Sequence, residues 1–345
     1  MAATPEDKKK HDLSGPAPEE FLQQIVDSKG KAVMEWYNDF IKEPPSVDAF
    51  LDDNNVAKNR HANILLYDHS RVLVEDDFAD DDYYHASWLD SYTKKNGYIL
   101  AQAPFDTQTT QDFWRMVYSH RPCIILVLVD TGGDKDKQKK QSNGTVDERF
   151  WPKKDDKMKL CDGRLIVSVP EADQDLETRR YTIQVKEKKA KAADIFKTTL
   201  INFRKWPTDS KVPDALLELR AHVLVQQARA EKEALKKKEI CGPVMVVCPS
   251  GVHRAGTFCA LDIVLSRLSE KKLVGLRTTV EMVRRHRYGA VIHYDHYQAL
   301  GNLVVKSAIS SGLISPDQLF DAKNAGGGGG GEAEGGGDDE KKEKE

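Results

Sequence analysis

The sequence predicts an α/β or α+β protein in which a mixed β-sheet is flanked by helices. Three observations carry that prediction. Between Tyr67 and about Ser311, short β-like runs alternate with helix-like ones, and no internal repeat is evident. The run IILVLV, from Ile124 to Val129, is apolar at every position, the pattern of a central strand buried on both faces. After Pro213, the stretch ALLELRAHVLVQQARAEKEALKKK places apolar residues every three or four positions and ends on lysines, the charge that favours a helix C-terminus.

Residues 1–17 are charged, lack apolar periodicity and are expected to be disordered. Over 18–57 the residues Phe21, Ile25, Val33, Met34, Tyr37 and Phe40 recur at roughly helical spacing, so N-terminal helices are expected to pack on the main domain, placed at 58–312. Within that domain RVLV and YIL read as strands, TTQDFWRMVYSH as a helix between strands, and Thr131 to Gly144 (TGGDKDKQKKQSNG) as a surface loop. FWP follows as a turn, RLIVSV and YTIQVKE as further strands, VMVV as a buried strand, and TFCALDIVLSRL as a long helix starting near Gly256. Residues 313–345, with the runs GGGGGG and GGGDDEKKEKE, have nothing to bury and are expected to be disordered.

The 345 residues include 52 Lys and Arg against 55 Asp and Glu, a balance that argues against a nucleic-acid binder. No apolar run approaches the length of a membrane span, and the polar N-terminus carries no secretory signal, so a cytoplasmic protein is expected. Five cysteines, at 123, 161, 241, 248 and 259, have no C-x-x-C spacing. That argues against a disulfide framework and against a zinc site, and no metal is expected.

The stretch VVCPSGVHRAGTF, Val246 to Phe258, joins the VMVV strand to the following helix and carries Cys248, Gly251 and Arg254. A strand, a tight loop and a helix N-terminus aim backbone N–H groups and the helix dipole at one point, which makes an anion cradle. A cysteine there has its thiolate stabilised for nucleophilic attack. Arg254 adds a planar fork able to hold two phosphate oxygens. Taken alone, a buried cysteine at a strand end beside a surface arginine fits these residues equally well.

The loop resembles the phosphate-binding signature of protein tyrosine phosphatases, and matching stretches follow in the family's order over roughly Asn59 to Leu300. KNRHANILLYDHSRV resembles the phosphotyrosine loop, YILAQAPFDTQTTQDFWRMV the family's long helix with its leading strand, KWPTDSKVP the mobile acid loop, and VRRHRYGAVIHYDHYQAL the closing glutamine loop. With its KNR and DFWRMV stretches the chain most resembles the classical tyrosine-specific branch, since the smaller dual-specificity enzymes lack them. The resemblance implies a highly twisted mixed sheet with helices on both sides and a two-step reaction without cofactor or metal. Cys248 attacks the phosphorus of phosphotyrosine in a partner protein, an aspartic acid protonates the leaving phenol, and water hydrolyses the cysteinyl phosphate. The substrate is expected to lie among Pro249, Ser250, Gly251, Val252 and His253 of the loop, His61 as the ring-stacking residue after KNR, Asn63, and His296.

Departures from the family pattern fall on helpers of chemistry. Val247 stands where the family has a histidine before the nucleophile, Ala255 replaces the hydroxyl residue after the arginine, and His253 replaces a glycine. The family's Trp-Pro-Asp reads Trp206, Pro207, Thr208, leaving Asp209 one place late as the candidate acid. In the last loop Ile292 and His296 take the places of the family's two glutamines. Arg60, Asp68, Arg71 and Trp114 read as structural, and Arg284 and Arg287 as a solvated helix face. Two functions are therefore expected to compete: a weak phosphatase using Cys248, Arg254 and Asp209, or an inactive pseudophosphatase that binds phosphotyrosine. A third reading makes Cys248 a redox sensor.

Overall fold

The structure, a computed structural model, describes residues 15–33, 45–129, 149–174, 178–206 and 211–318. The sequence expectations for Met34, Tyr37, Phe40, the loop from Thr131 to Gly144, Asp209 and most of both termini lie outside these residues.

Helix α1 (Pro18–Asp27) comes first, with Pro18 in its first turn, where a missing N–H costs nothing. Two four-residue helical segments, Asp48–Leu51 and Asp53–Val56, lead into strands β1 (Arg71–Leu73), β2 (Tyr83–Leu89) and β3 (Tyr98–Gln102). Helix α2 (Thr107–His120) starts at a reciprocal capping box, in which Asp106 accepts from the Thr109 N–H and the Thr109 hydroxyl accepts from the Asp106 N–H. Strands β4 (Ile124–Val127), β5 (Lys157–Leu160), β6 (Leu165–Gln174), β7 (Thr178–Glu187) and β8 (Phe196–Phe203) follow. Helix α3 (Leu216–Lys237), strand β9 (Val244–Cys248), and helices α4 (His253–Lys271), α5 (Leu276–His286) and α6 (Tyr294–Ser310) complete the domain.

The described strands form one mixed sheet in the order β1-β2-β3-β9-β4-β8-β7-β6-β5. Strands β3, β9, β4 and β8 run parallel at its centre, and the flanking pairs are antiparallel. The centre is covered on both faces, which is why IILV and VMVV are apolar throughout. Alternation along β9 sends Val246 and Cys248 into the apolar layer shared with α3 to α6, and Met245 and Val247 into the layer shared with Phe113 and Trp114 of α2. The mixed sheet with helices on both faces is the fold class read from the sequence.

One boundary differs from that reading. Helix α4 begins at His253 rather than near Gly256, so Arg254 belongs to its first turn and not to the loop. The N-cap, Val252, has no side-chain cap, so the usual start signal is missing. Among the described residues, no helix is long and apolar enough to cross a membrane.

Candidate active site

Cys248 ends β9 at the C-terminal edge of the parallel centre, opposite Gln102 in the register with β3. Its carbonyl accepts from the Ala103 N–H at 2.9 Å and from the Gly251 N–H at 3.0 Å, so the chain turns back sharply. Gly251 takes φ +68°, and a Cβ there would lie 2.4 Å from the Ala101 carbonyl carbon. Only glycine fits both the left-handed backbone and the approach to β3. The loop from Cys248 to Val252 is buried and runs straight into α4, whose first turn is closed by Gly256 N–H on Val252 O at 2.9 Å.

Within that turn the Ser250 hydroxyl accepts from the Val252 N–H at 3.2 Å and the His253 N–H at 3.5 Å. Its oxygen stands 3.9 Å from the Cys248 sulfur, in position to donate to a thiolate. Arg254, also fully buried, donates from Nη1 to the Leu128 carbonyl at 3.0 Å, just beyond β4. The sequence did not single out Ser250 as a partner of the sulfur. A hydroxyl two residues after a cysteine is a signal only once the turn is known.

Arg287 is not on a solvated face. It is fully buried beneath the loop, donating to the carbonyls of Gly251 (3.1 Å) and Ser250 (3.2 Å), the Ser87 hydroxyl (3.2 Å) and Nδ1 of His85 (2.8 Å). Burial lowers its pKa to about 10, with the nearby Cys248 doing most to oppose that shift. Arg284, half-buried, clamps the next loop by donating to the carbonyls of Ala290 (2.8 Å) and Val291 (2.7 Å). Val291 holds φ +54° while fully buried, an uncommon state for a β-branched residue and one that costs on the order of 1–3 kcal/mol.

His85 joins this network as an acceptor at Nδ1, with Nε2 set against the Ile64 carbonyl at 2.9 Å. Burial first, and then Arg287, holds its pKa well below the ordinary histidine value. Burial also lowers that of His120, whose Nε2 meets the Leu73 carbonyl at 2.7 Å. Both rings fold neutral, whereas the unfolded chain takes up their protons below about pH 6.5. Stability is thus complete above that pH and is lost beneath it by up to about 1.4 kcal/mol per pH unit for each ring. Calorimetry at pH 7.5, 6.5 and 5.5 should show the thermal midpoint flat over the first step and falling over the second; a flat second step would contradict the assignment.

The segment at Lys58–Arg60 is tied to β3 through Gln102, which donates to the Lys58 carbonyl at 2.7 Å and accepts from the Arg60 N–H at 3.2 Å. Gln102 pairs with Cys248 in the sheet, so this tether links the 58–60 segment to the strand register of Cys248. His61 is half-buried and lies within electrostatic reach of His85, while Asn63 is exposed. A cavity of about 660 Å³ lies beside this segment, lined by Arg60, Phe105, Asp106, Arg149 and Lys159 among others, with Cys248 outside its lining. The structural reading of the neighbouring residues holds. Asp68 accepts from the N–H groups of Asp48 and Ala49, Arg71 pairs with Asp82 at 3.0 Å, and Trp114 donates to the Phe150 carbonyl at 2.8 Å.

On the other side of the loop, His296 is buried, with Nδ1 2.8 Å from the Thr257 hydroxyl and its ring 5.6 Å from that of Trp206. His293 bridges to it, 4.6 Å from the His253 ring and 5.4 Å from the His296 ring. Ala255 is buried in the same apolar layer as Cys248, and Ile292 is 43% exposed. Trp206 is buried at the last described position before residues 207–210, so Pro207, Thr208 and the candidate acid Asp209 lie outside the described residues.

A strand-loop-helix cradle on a mixed sheet, with a cysteine at the strand end and an arginine in the first helical turn, defines a class of phosphate-handling α/β domain. Residues 55–306 match the family model for protein-tyrosine phosphatase, and the chain belongs to that family. It is 27% identical over 312 residues to human tyrosine-protein phosphatase non-receptor type 9, an alignment covering 86% of this chain and 50% of that protein. It is 28% identical over 271 residues to the receptor-type tyrosine-protein phosphatase zeta of Rattus norvegicus, covering 76% of this chain and 11% of that one. A probable tyrosine phosphatase protein N1 of Microplitis demolitor bracovirus (isolate Webb) is 26% identical over 251 residues, 71% of this chain and 74% of the viral protein. The chain thus spans half or less of the human and rat relatives.

Proposed function

We propose that this domain binds phosphotyrosine in a partner protein, within a cytoplasmic setting, and hydrolyses it slowly through a phosphate carried on Cys248. The strand-loop-helix turn supports this reading: Gly251 lets the buried loop turn back after Cys248, and Arg254 stands in the first helical turn that follows. The Cys248 thiolate attacks phosphorus, the bond from phosphorus to the tyrosyl oxygen breaks, and Asp209 donates a proton to the departing phenol. Water then attacks the phosphocysteine and the phosphorus–sulfur bond breaks, returning the thiolate.

The second step is the slow one. Ala255 offers no hydroxyl to the departing sulfur, and a hydrogen bond to a charged group is worth about 1.5–3 kcal/mol, or roughly 10 to 100-fold in rate. The Ser250 hydroxyl, 3.9 Å from the sulfur, offsets part of that loss. Ile292 presents an apolar side chain where water must be oriented, and His296 is engaged with Thr257. A phosphotyrosine reader without turnover is the second reading, favoured by the changes at Val247, Ala255, Thr208 and Ile292, each of which removes a helper of chemistry rather than of binding.

Protein-bound and free phosphate are to be counted over time with a labelled phosphotyrosyl peptide, with Cys248→Ser alongside. Expected is a rapid transfer of about one phosphate per chain followed by slow release, with both absent in Cys248→Ser. Peptide binding without transfer would establish the reader, and absence of binding would overturn any phosphotyrosine role.

A further inference from the structure

Cys123 and Cys241 are far apart in sequence, and the sheet brings them together. Cys123 immediately precedes β4, Cys241 stands three residues before β9, and these strands pair with Ile124 against Val244. The Cys123 N–H donates to the Pro243 carbonyl at 2.9 Å. The chains close so tightly here that a Cβ on Gly242 would lie 1.9 Å from the Arg121 carbonyl oxygen. Both cysteines are half-buried free thiols, and their side chains share a hydrogen bond.

That bond differentiates the pair. It lowers the pKa of Cys241 to about 7, with burial and Glu231 opposing and Lys94 assisting. The same bond, together with burial, pushes Cys123 up. Lys94 is held in place by donating from Nζ to the Cys241 carbonyl at 2.6 Å. Cys241 is thus the thiol that ionises more readily, and a second thiol lies beside it, which are the parts of a dithiol that closes on itself. Strand β9 separates this pair from Cys248 by about 13 Å along its length.

We propose that Cys123 and Cys241 form a thiol modification site, at the end of the central strands opposite Cys248, that a low-molecular-weight disulfide converts reversibly into an intrachain disulfide. The Cys241 thiolate attacks one sulfur of the small disulfide, whose S–S bond breaks and releases one small thiolate. Cys123 then loses its proton and attacks the Cys241 sulfur of the mixed disulfide, releasing the second small thiolate. The protein gives up two electrons and two protons, and the small disulfide becomes two thiols. The link staples the starts of β4 and β9 and closes a long loop, so the oxidised form is expected to melt higher by on the order of 5 °C.

The test treats the full chain with oxidised glutathione, traps remaining thiols with N-ethylmaleimide, and maps peptides by mass spectrometry without reduction. Expected is a Cys123–Cys241 linked peptide that dithiothreitol removes. In Cys123→Ala the reaction should stop at a glutathione adduct on Cys241, and in Cys241→Ala it should leave Cys123 maleimide-labelled. The rate of Cys241 alkylation should titrate near pH 7 in the parent and at higher pH in Cys123→Ala. Maleimide on both cysteines of the treated parent, or a link joining either one to another cysteine, would overturn the proposal.

Discussion

Arg287→Met is expected to destabilise the domain by about 3–5 kcal/mol and to abolish phosphopeptide binding together with phosphate transfer. The guanidinium is fully buried, and its partners are carbonyls, a hydroxyl and a ring nitrogen. Methionine fills much of the volume but donates nothing. The carbonyls of Ser250 and Gly251 and Nδ1 of His85 would then be buried unsatisfied, at about 1–3 kcal/mol each before relaxation. The loop would regain partners only by opening toward water, and opening it dissolves the cradle. Urea titration measures the first effect, as a lower midpoint at an unchanged slope, and peptide titration by calorimetry the second. A stability within about 1 kcal/mol of the parent would mean that the loop is held by β3 and α4 without Arg287.

That residue also marks where sequence reasoning stops. In the run RRHR a charged side chain on an amphipathic helix reads as solvated, because local pattern carries no information about His85 and Ser87, which are supplied by β2 some two hundred positions earlier. The Cys123 and Cys241 contact was hidden for the same reason: it depends on β9 inserting between β3 and β4, and no local spacing encodes strand order. By contrast, the strands at Ile124 and Val244 and the helix over 216–237 were legible, because burial on both faces and on one stripe each impose a local period. The cysteine, glycine and arginine of the loop were legible as an anion cradle. The start of α4 was misplaced by three residues because Val252 and His253 give no capping signal and Gly256 interrupts the helical pattern. Gly256 is there for packing, since a Cβ on it would come within 2.9 Å of the Ala290 side chain.

Gly251→Ala is expected to cost more than about 3 kcal/mol and to remove phosphate transfer, whereas Gly289→Ala is expected to cost only about 1 kcal/mol. The two glycines have nearly the same backbone, φ +68° and +69°, so the conformational penalty of a side chain is common to both. They differ in their surroundings. At Gly289 the nearest atom to an added Cβ is Val252 Cγ1 at 3.7 Å, an ordinary contact, while at Gly251 three backbone atoms of Ala101 and Gln102 lie within 2.7 Å. Those atoms belong to β3, which is hydrogen-bonded on both sides and cannot retreat without breaking its ladder with β9. The loop must therefore lift, carrying the Ser250 hydroxyl, with the Val252 and His253 amides that donate to it, away from the Cys248 sulfur it faces. Stability and phosphate-transfer measurements on both variants separate the shared backbone penalty from the cost of the close approach. Equal losses at the two positions would show that the approach to β3 is not what shapes the cradle.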